Sequence, residues 1–195
     1  MATEMIPTAS HGTRERLLDA GVSVAERHGL TGLSVNRVVA QAGVAKGTFY
    51  VHFSDRSAFV DALHARFHAR VIDAVSSAAE GLPDGAERIV CGAEAYLDVC
   101  LEDRAVKALA VEARSDPALT ASMSARHERF AAAAVPSFKA MGWRDAPTAA
   151  QLFAAMTAEV AMRELEARKP LPAARRTLRR FLKASSADEP PTARA

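Results

Sequence analysis

The sequence predicts an all-α protein, and three observations support this fold class. The residues between the scattered glycines and prolines are rich in Ala, Leu, Glu and Arg, which favour helices. Apolar residues recur at helical spacing along most of the chain. Clusters of β-branched residues with period-two alternation, which indicate strands, are missing. With 195 residues, 49% of them hydrophobic, the chain is long enough for one or two packed cores.

Three short helices are predicted before residue 55. The first begins at the capping residue Thr13 and ends at Gly29. The second follows another capping residue, Ser34, and the segment Ala42-Gly43-Val44 ends it. The third covers only two turns, from Ala45 to about His52. Because glycine tolerates the left-handed conformation of a tight turn, the second and third helices are predicted to form a helix-turn-helix.

The third helix divides into two faces. Phe49 and Phe53, four residues apart, are predicted to pack inward against the first helix. The remaining residue types are typical donors to phosphate oxygens, together with a glycine that allows close backbone approach. Any one of them alone could simply decorate a surface helix, but the ordered string favours a DNA-binding face. Its residues are Lys46, Gly47, Thr48, Tyr50 and His52.

The rest of the chain is predicted to be helical, with interruptions at proline and glycine. A fourth helix, capped by Ser54, is expected to end near Gly81. Pro136 is expected to kink a long helical segment. The further helices are predicted at residues 86–101, 103–114, 118–141 and 147–168, and a last helix after the break at 169–172 is expected to reach about residue 184. The predicted domains are 1–55 for DNA binding, 56–184 for ligand binding and dimerisation, and 185–195 as a disordered tail.

The distribution of charge and the length of the apolar segments indicate which partners and which compartment to expect. The net charge of +2 does not by itself indicate a nucleic-acid partner, and the first 57 residues carry six basic and five acidic side chains. Residues 163–183 carry eight basic side chains against two acidic ones.

Neither a signal peptide nor a membrane span is predicted. Cys91 and Cys100 would lie ~13.5 Å apart along one helix, too far for a disulfide, so a reduced cytoplasmic protein is expected.

One stretch resembles a known signature. Residues 42–56, AGVAKGTFYVHFSDR, look like the signature of the TetR family of transcriptional regulators. The resemblance extends back through 34–38 to 13–18, about 50 residues in all. Two positions depart from the family pattern: Ala45 replaces the usual serine, which removes a helix cap worth about 0.5–2 kcal/mol, and Val39 replaces a small alanine. Downstream, the resemblance is one of length and helix count only.

The resemblance implies a homodimeric, sequence-specific regulator, usually a repressor that a small-molecule effector releases from a palindromic operator in double-stranded DNA. It implies contacts to phosphates from Ser34, Lys46, Thr48, Tyr50, His52 and Arg56. Base contacts are expected from Asn36, Arg37, Ala45, Lys46 and Gly47, with Val44 beside them in the turn and Tyr50 able to touch a thymine methyl group.

The resemblance further implies a four-helix dimer interface from the last two helices and a ligand pocket in the preceding ones. The arginines of the last helix are interpreted as a solvated face rather than a nucleic-acid contact. For each apolar pocket candidate, ordinary core packing is the alternative. Two glutamates could bind a cationic or hydroxylated ligand, or could pair with arginine. The candidates are Tyr96, Cys100, Glu112, Phe130, Phe138, Trp143, Phe153, Met156 and Glu159.

Other classes of function receive less support from the sequence. Asp61, His64 and His68 share a helical face, but no fourth ligand is evident, so neither a metal nor a cofactor is expected. An architectural DNA-binding protein without an effector would share the same helix-turn-helix. An enzyme is not expected, because no phosphate loop, zinc-protease motif or nucleophile elbow occurs, although a dispersed catalytic triad would leave no such motif.

Overall fold

The computed structural model describes residues 12–107 and 117–185. That part of the chain consists of helices and the turns between them, without strands, which confirms the all-α prediction. A helical turn at 104–107 begins the helix predicted from 103, while the rest of that helix and residues 186–195 of the predicted tail lie outside the described residues; Ser185, predicted to start the tail, is the last residue of the final helix. The helices are α1 (Thr13–Gly32), α2 (Val35–Ala42), α3 (Lys46–His52), α4 (Arg56–Ala78), α5 (Ala86–Glu102), α6 (Pro117–Ala133), α7 (Val135–Ala140), α8 (Ala146–Ala167) and α9 (Pro172–Ser185).

The chain forms two compact units, one up to His64 and one from Ala65 onward. In the first unit, α1 packs against α2 and α3. Its core contains Leu17, Leu18 and Val38, which are fully or almost fully buried. Gly21 allows close packing inside this unit, because a Cβ there would lie 2.5 Å from Cζ of Phe59. In the second unit, α5 and α8 contact each other, and α6, α7 and α9 pack around them.

Two of the predicted helix ends in the first unit differ from the structure. The backbone leaves helical geometry at Gly29, with φ 62°, but a further turn carries α1 to Gly32. The cap of α4 was assigned to Ser54 wrongly: Asp55 Oδ1 accepts from the Ala58 amide at 2.8 Å. Ser54 instead donates to Asp55 Oδ2 at 3.2 Å. These two hydrogen bonds, first that from Ala58, lower the pKa of Asp55.

Two predictions in the second unit are also corrected. α4 ends at Ala78 rather than near Gly81, which lies in the following turn with φ 72°. Pro136 does not kink one continuous helix: α6 ends at Ala133, and Pro136 lies in the first turn of α7. Proline is tolerated there because the first N–H groups of a helix have no partner within it.

A buried ion pair joins α8 to α9. Glu164 is fully buried and accepts hydrogen bonds from Arg175 Nε and Nη2, both at 2.7 Å, and from the Leu171 amide at 2.8 Å. Burial alone would raise the pKa of Glu164, but these hydrogen bonds and the Arg175 charge outweigh it and lower that pKa. Arg175 also donates to Asp98 of α5 at 2.6 Å, so this arginine is not part of a merely solvated face.

Arg179, one turn further along α9, also contacts another helix. Its Nε donates to Glu94 Oε1 of α5 at 2.6 Å. Arg176 and Arg180 are exposed. The interpretation of the arginine run as a solvated face therefore applies to one side of α9, while the other side fixes that helix to α5.

Candidate DNA-binding surface and ligand cavity

The turn between α2 and α3 is fixed by hydrogen bonds at the end of α2. Gly43 adopts the left-handed conformation, with φ 66° and ψ 37°. Its amide donates to the Ala40 oxygen, and the Val44 amide donates to the Val39 oxygen at 3.1 Å. This pair of bonds is the Schellman arrangement, which favours glycine at the left-handed position. The prediction that Gly43 forms the turn is confirmed, and the turn sets where α3 begins.

The buried face of α3 is aromatic. Phe49 and Phe53 are buried, as predicted, and their ring centroids lie 5.2 and 4.9 Å from that of Phe59. The guanidinium of Arg14 lies over the Phe53 ring, 5.4 Å from its centroid. These contacts hold α3 in one rotational orientation, so its opposite face is directed away from the core of the first unit.

The opposite face of α3 is accessible. Tyr50 is 50% exposed, although its ring also meets the edge of Phe49 at 5.4 Å. Lys46, Gly47 and His52 are exposed, and Thr48 is half-buried. Sequence reasoning missed Val51, whose side chain is 80% exposed. Its signal was its position two residues after Phe49, which places it nearly opposite the buried face of a helix.

The two helix starts near this surface are capped differently. Ser34 has an extended backbone, and its hydroxyl accepts from the Arg37 amide at 3.4 Å. Ala45 occupies the same position before α3, with φ −68° and ψ 149°, but its methyl group makes no capping bond. The first turn of α3 is closed only by the backbone bond from the Thr48 amide to the Ala45 oxygen, at 3.0 Å.

Two candidate DNA contacts make hydrogen bonds within the protein. Arg37 Nη1 donates to the main-chain oxygen of Gly32 at 2.9 Å. Arg56 Nε donates to that of Leu33 at 2.7 Å. Both carbonyls belong to the connection between α1 and α2, where the end of a helix leaves oxygens without helical partners. The two arginines therefore position this connection.

The remaining DNA candidates group on the start of α2 and on the turn and α3 that follow. Asn36 is exposed near the start of α2, and Ser34 is half-buried before it. Ala45 is exposed and Val44 half-buried in the turn. Since α2 and α3 pack against each other, the structure brings these positions to neighbouring elements of the first unit.

The second unit contains two adjacent cavities. The larger, of about 300 Å³, is lined by side chains of α4, α5, α6 and α8. The smaller, of about 150 Å³, has mainly alanine and other apolar side chains in its wall. Four residues line both cavities, so the two share a wall. They are Phe130, Ala131, Ala154 and Thr157.

The structure separates the predicted ligand residues into four groups. Tyr96 lines the larger cavity, Phe153 the smaller, and Phe130 both. Cys100 and Phe138 are core residues outside both linings, and Trp143 packs edge-to-face on Phe138. Burial raises the pKa of the Cys100 thiol. Met156 and Glu159 line a surface groove on α8 and α9, and Glu159 accepts from Arg163 at 2.8 Å. Glu112 lies outside the described residues.

The wall of the larger cavity contains polar residues that were not among the predicted ligand residues. They include His68, His127, Gln151 and Thr157. The pKa of His68 is lowered to about 4, first by burial and then by the charges of His127, Arg126, Lys107 and Arg129. Lys107 is itself buried, and its Nζ donates to Tyr96 Oη at 2.8 Å. The sequence singled out His68 only as a possible metal ligand, because the approach of His127 on α6 to it is a tertiary contact.

The described residues contain neither a cluster of metal ligands nor a membrane-spanning helix. Within 12–107 and 117–185, no three His, Cys, Asp or Glu side chains come together as metal ligands. In the same ranges, every helix is too short or too polar to cross a bilayer.

Comparison with known proteins places the first unit in a family. The family model of bacterial regulatory proteins, tetR family, matches residues 17–63, which include all of α2, the turn and α3. The chain is 30% identical over 79 residues to the HTH-type transcriptional regulator YvdT of Bacillus subtilis (strain 168), covering 40% of this chain and 41% of YvdT. It is 34% identical over 71 residues to the HTH-type transcriptional repressor NemR of Escherichia coli (strain K12), covering 34% and 36%. The matches thus span about two-fifths of these relatives.

A solved structure extends the likeness of fold to almost the whole chain. A transcriptional regulator from Rhodococcus sp. Rha1 superimposes with a TM-score of 0.79 at 22% identity, covering 92% of this chain and 100% of that one. Identity this low shows a shared fold alone. Residues 17–63, which contain the helix-turn-helix, match the tetR family of bacterial regulatory proteins, and the helical architecture that follows them resembles solved transcriptional regulators in fold.

Proposed function

We propose that the chain is a homodimeric, sequence-specific DNA-binding repressor, released from a palindromic operator by a small-molecule effector. One observation carries the proposal: α3 holds Phe49 and Phe53 in the core while Lys46 and Tyr50 remain exposed. In this proposal residues 1–55 bind DNA, and residues 56–184 bind the effector and dimerise. The relative NemR is a transcriptional repressor, which supports repression as the direction of control.

The DNA contact follows from the shape and polarity of α3. The major groove of B-DNA admits one α-helix, and the exposed residues of α3 would face the base edges. Lys46 and Gly47 would lie nearest the bases, together with Asn36 of α2 and Ala45 and Val44 of the turn. Phosphate contacts would come from the hydroxyls of Ser34, Thr48 and Tyr50 and from His52.

A dimer is supported by the exposed apolar face of α8 and α9. Leu152 is 62% exposed and Phe181 is 53% exposed. A groove of about 600 Å³ runs between these helices, lined by Met156, Val160, Leu178 and Phe181 among others. A second copy of the chain would remove this face from water, and two α3 helices could then reach successive major grooves ~34–36 Å apart.

An effector is supported by the two adjacent cavities of the second unit. Their volumes, about 300 and 150 Å³, suit a small organic molecule. An effector can release DNA only by binding more tightly to the arrangement that does not bind DNA. The alternative of an architectural DNA-binding protein without an effector predicts instead that no small molecule changes DNA affinity.

Selection of bound sequences from random double-stranded DNA tests the DNA-binding proposal. The full chain is expected to enrich an inverted repeat, with half-site centres about one helical turn apart. Tyr50→Ala is expected to enrich nothing, while Lys139→Met, altered at an exposed position of the second unit, should enrich the same repeat. Retention of random DNA without an enriched motif would favour the architectural alternative, and failure to retain any DNA would overturn both.

A further inference from the structure

We infer that the effector is an amphipathic organic anion, with its acidic group at the Tyr96–His68 end of the larger cavity and its apolar part against Phe130, toward the smaller cavity. This inference rests on the proposed function, because it assigns a chemical class to the effector. Three features of the second unit support it: the shape of the two cavities, the polarity of each cavity wall, and the charges around the larger cavity.

The shape favours an elongated ligand. Phe130, Ala131 and Ala154 line both cavities, so a molecule filling the larger one would lie directly against the wall of the smaller. Phe130 also lies beside Tyr96, with ring centroids 5.5 Å apart. Phe130 is the largest of the side chains that line both cavities.

The smaller cavity is suited to an apolar group. The charged residue in its wall, Arg88, donates from Nη1 to the Ala79 and Leu82 oxygens at 2.9 and 2.8 Å. Its Ser137 hydroxyl donates to Asp84 at 2.9 Å. Because these polar groups already bond within the protein, a ligand entering this cavity would gain mainly by burying apolar surface.

Basic side chains lie near Tyr96 and His68 of the larger cavity. Lys107 is 4% exposed, donates to Tyr96 Oη, and lies 5.3 Å from the centre of the Tyr96 ring. His127 faces His68 with ring centroids 5.7 Å apart. Arg126 and Arg129 on α6 also act on His68, since their charges lower its pKa. Among these cations Lys107 is buried, whereas His127 and Arg129 are exposed like Glu128, so the Lys107 charge acts in the medium of lowest dielectric constant and favours an anion over a cation.

The acidic residues in this region of the described chain do not reverse that preference. Glu128 lines the larger cavity but is exposed. Glu164 is held by Arg175, and Glu102 and Asp103 bind Arg70. Glu159, for which the sequence left open a cationic or hydroxylated ligand or a pair with arginine, lies on the surface and pairs with Arg163.

The test compares ligands that differ only in charge. Octanoate, octanamide and octylammonium, and the matched series 4-phenylbutanoate, 4-phenylbutanamide and 4-phenylbutylammonium, are titrated into the full chain by calorimetry without DNA. The carboxylate is expected to bind about tenfold more tightly than the amide, with the ammonium weakest, because charge-assisted hydrogen bonds are the stronger ones. Equal or tighter binding of the amide or ammonium, or failure of both carboxylates to bind, would overturn the inference.

Two variants locate the acidic group. Lys107→Met, of similar length, is expected to bind carboxylate and amide equally. Tyr96→Phe, which keeps the ring, should weaken the carboxylate several-fold and leave the ammonium unchanged. Lys139→Met, an exposed lysine on α7, is the matched control and should keep the full preference. Circular dichroism establishes that each variant folds. A carboxylate preference that persists in both variants would place the acidic group elsewhere and contradict the inference.

The same samples separate this inference from the proposed function. DNA binding is measured by fluorescence anisotropy without ligand, so loss of the charge preference leaves the DNA-binding result intact. Conversely, a chain that binds the carboxylates but no DNA would retain the assigned ligand class while the regulator proposal fails.

Discussion

Arg56 Nε donates a hydrogen bond to the main-chain oxygen of Leu33 at 2.7 Å, which joins the first residue of α4 to the connection between α1 and α2. Arg37 makes a similar bond to the adjacent Gly32 oxygen. Both arginines are DNA-contact candidates by family resemblance. Their hydrogen bonds give them a second role, because they fix the backbone that precedes α2.

Arg56→Ala is therefore expected to lower the free energy of unfolding, by about 1.5–3 kcal/mol, since a charged donor to a carbonyl is lost. Urea denaturation followed by circular dichroism measures this change. Lys46→Ala, at an exposed position of α3, should change stability by less than about 0.5 kcal/mol. If Arg56→Ala weakened DNA binding at unchanged stability, the structural role assigned here would be wrong.

Tyr50→Ala should weaken operator binding without unfolding the protein. The Tyr50 ring is half exposed, so its removal deletes a phosphate or base contact but leaves Phe49 and Phe53 in the core. A loss of about 1–3 kcal/mol in binding free energy is expected for one specific contact. Fluorescence anisotropy on the selected operator measures it. Tyr50→Phe, which removes only the hydroxyl, distinguishes a hydrogen bond to phosphate from ring contact with a thymine methyl group.

Ala45→Ser should stabilise the protein. Ala45 already has the extended backbone of a capping residue, and a serine hydroxyl there could accept from an amide in the first turn of α3. The expected gain is about 0.5–2 kcal/mol, measured by thermal or urea denaturation. Ser34→Ala, which removes the existing cap of α2, should have the opposite sign. An unchanged or lower melting temperature for Ala45→Ser would contradict the missing-cap argument.

Glu164→Gln should destabilise the second unit strongly. The substitution removes the buried charge that Arg175 contacts through two nitrogens, and breaking such a pair costs about 3–5 kcal/mol. Glu159→Gln is the matched control, because the Glu159–Arg163 pair is exposed and should contribute less than about 1 kcal/mol. Equal effects of the two substitutions on the unfolding free energy would show that the buried pair does not join α8 to α9 as inferred.

Stability should fall on acidification partly because of His68. Burial, together with nearby positive charges, lowers its pKa from 6.5 to about 4, so between these values the unfolded chain takes up a proton that the folded chain does not. This contribution is complete above pH 6.5 and is lost as pH falls toward 4, by an order of magnitude of ~3 kcal/mol. Denaturation of wild type and His68→Gln at each pH measures it as a difference. Parallel pH profiles for the two proteins would contradict the pKa of about 4.

The sequence by itself determined the features that depend on neighbours along the chain. Gly43 ends α2, and Phe49 and Phe53 form one face of α3, because helix periodicity and the left-handed turn are local properties. The same local pattern, in residues 42–56, carries the resemblance to the TetR family. Even the absent cap at Ala45 could be read from the sequence.

Only the tertiary structure decided which distant groups meet. Arg56 donates to the Leu33 carbonyl, 23 residues away in sequence. Glu164 is the buried glutamate of α8, whereas Glu159 is exposed. The helical spacing of residues predicts neither result. The cavity beside Tyr96 likewise exists only where α4, α5, α6 and α8 leave space between them. A charged side chain binds whichever group a neighbouring helix brings close to it. The periodicity of the sequence does not say which helices will be neighbours.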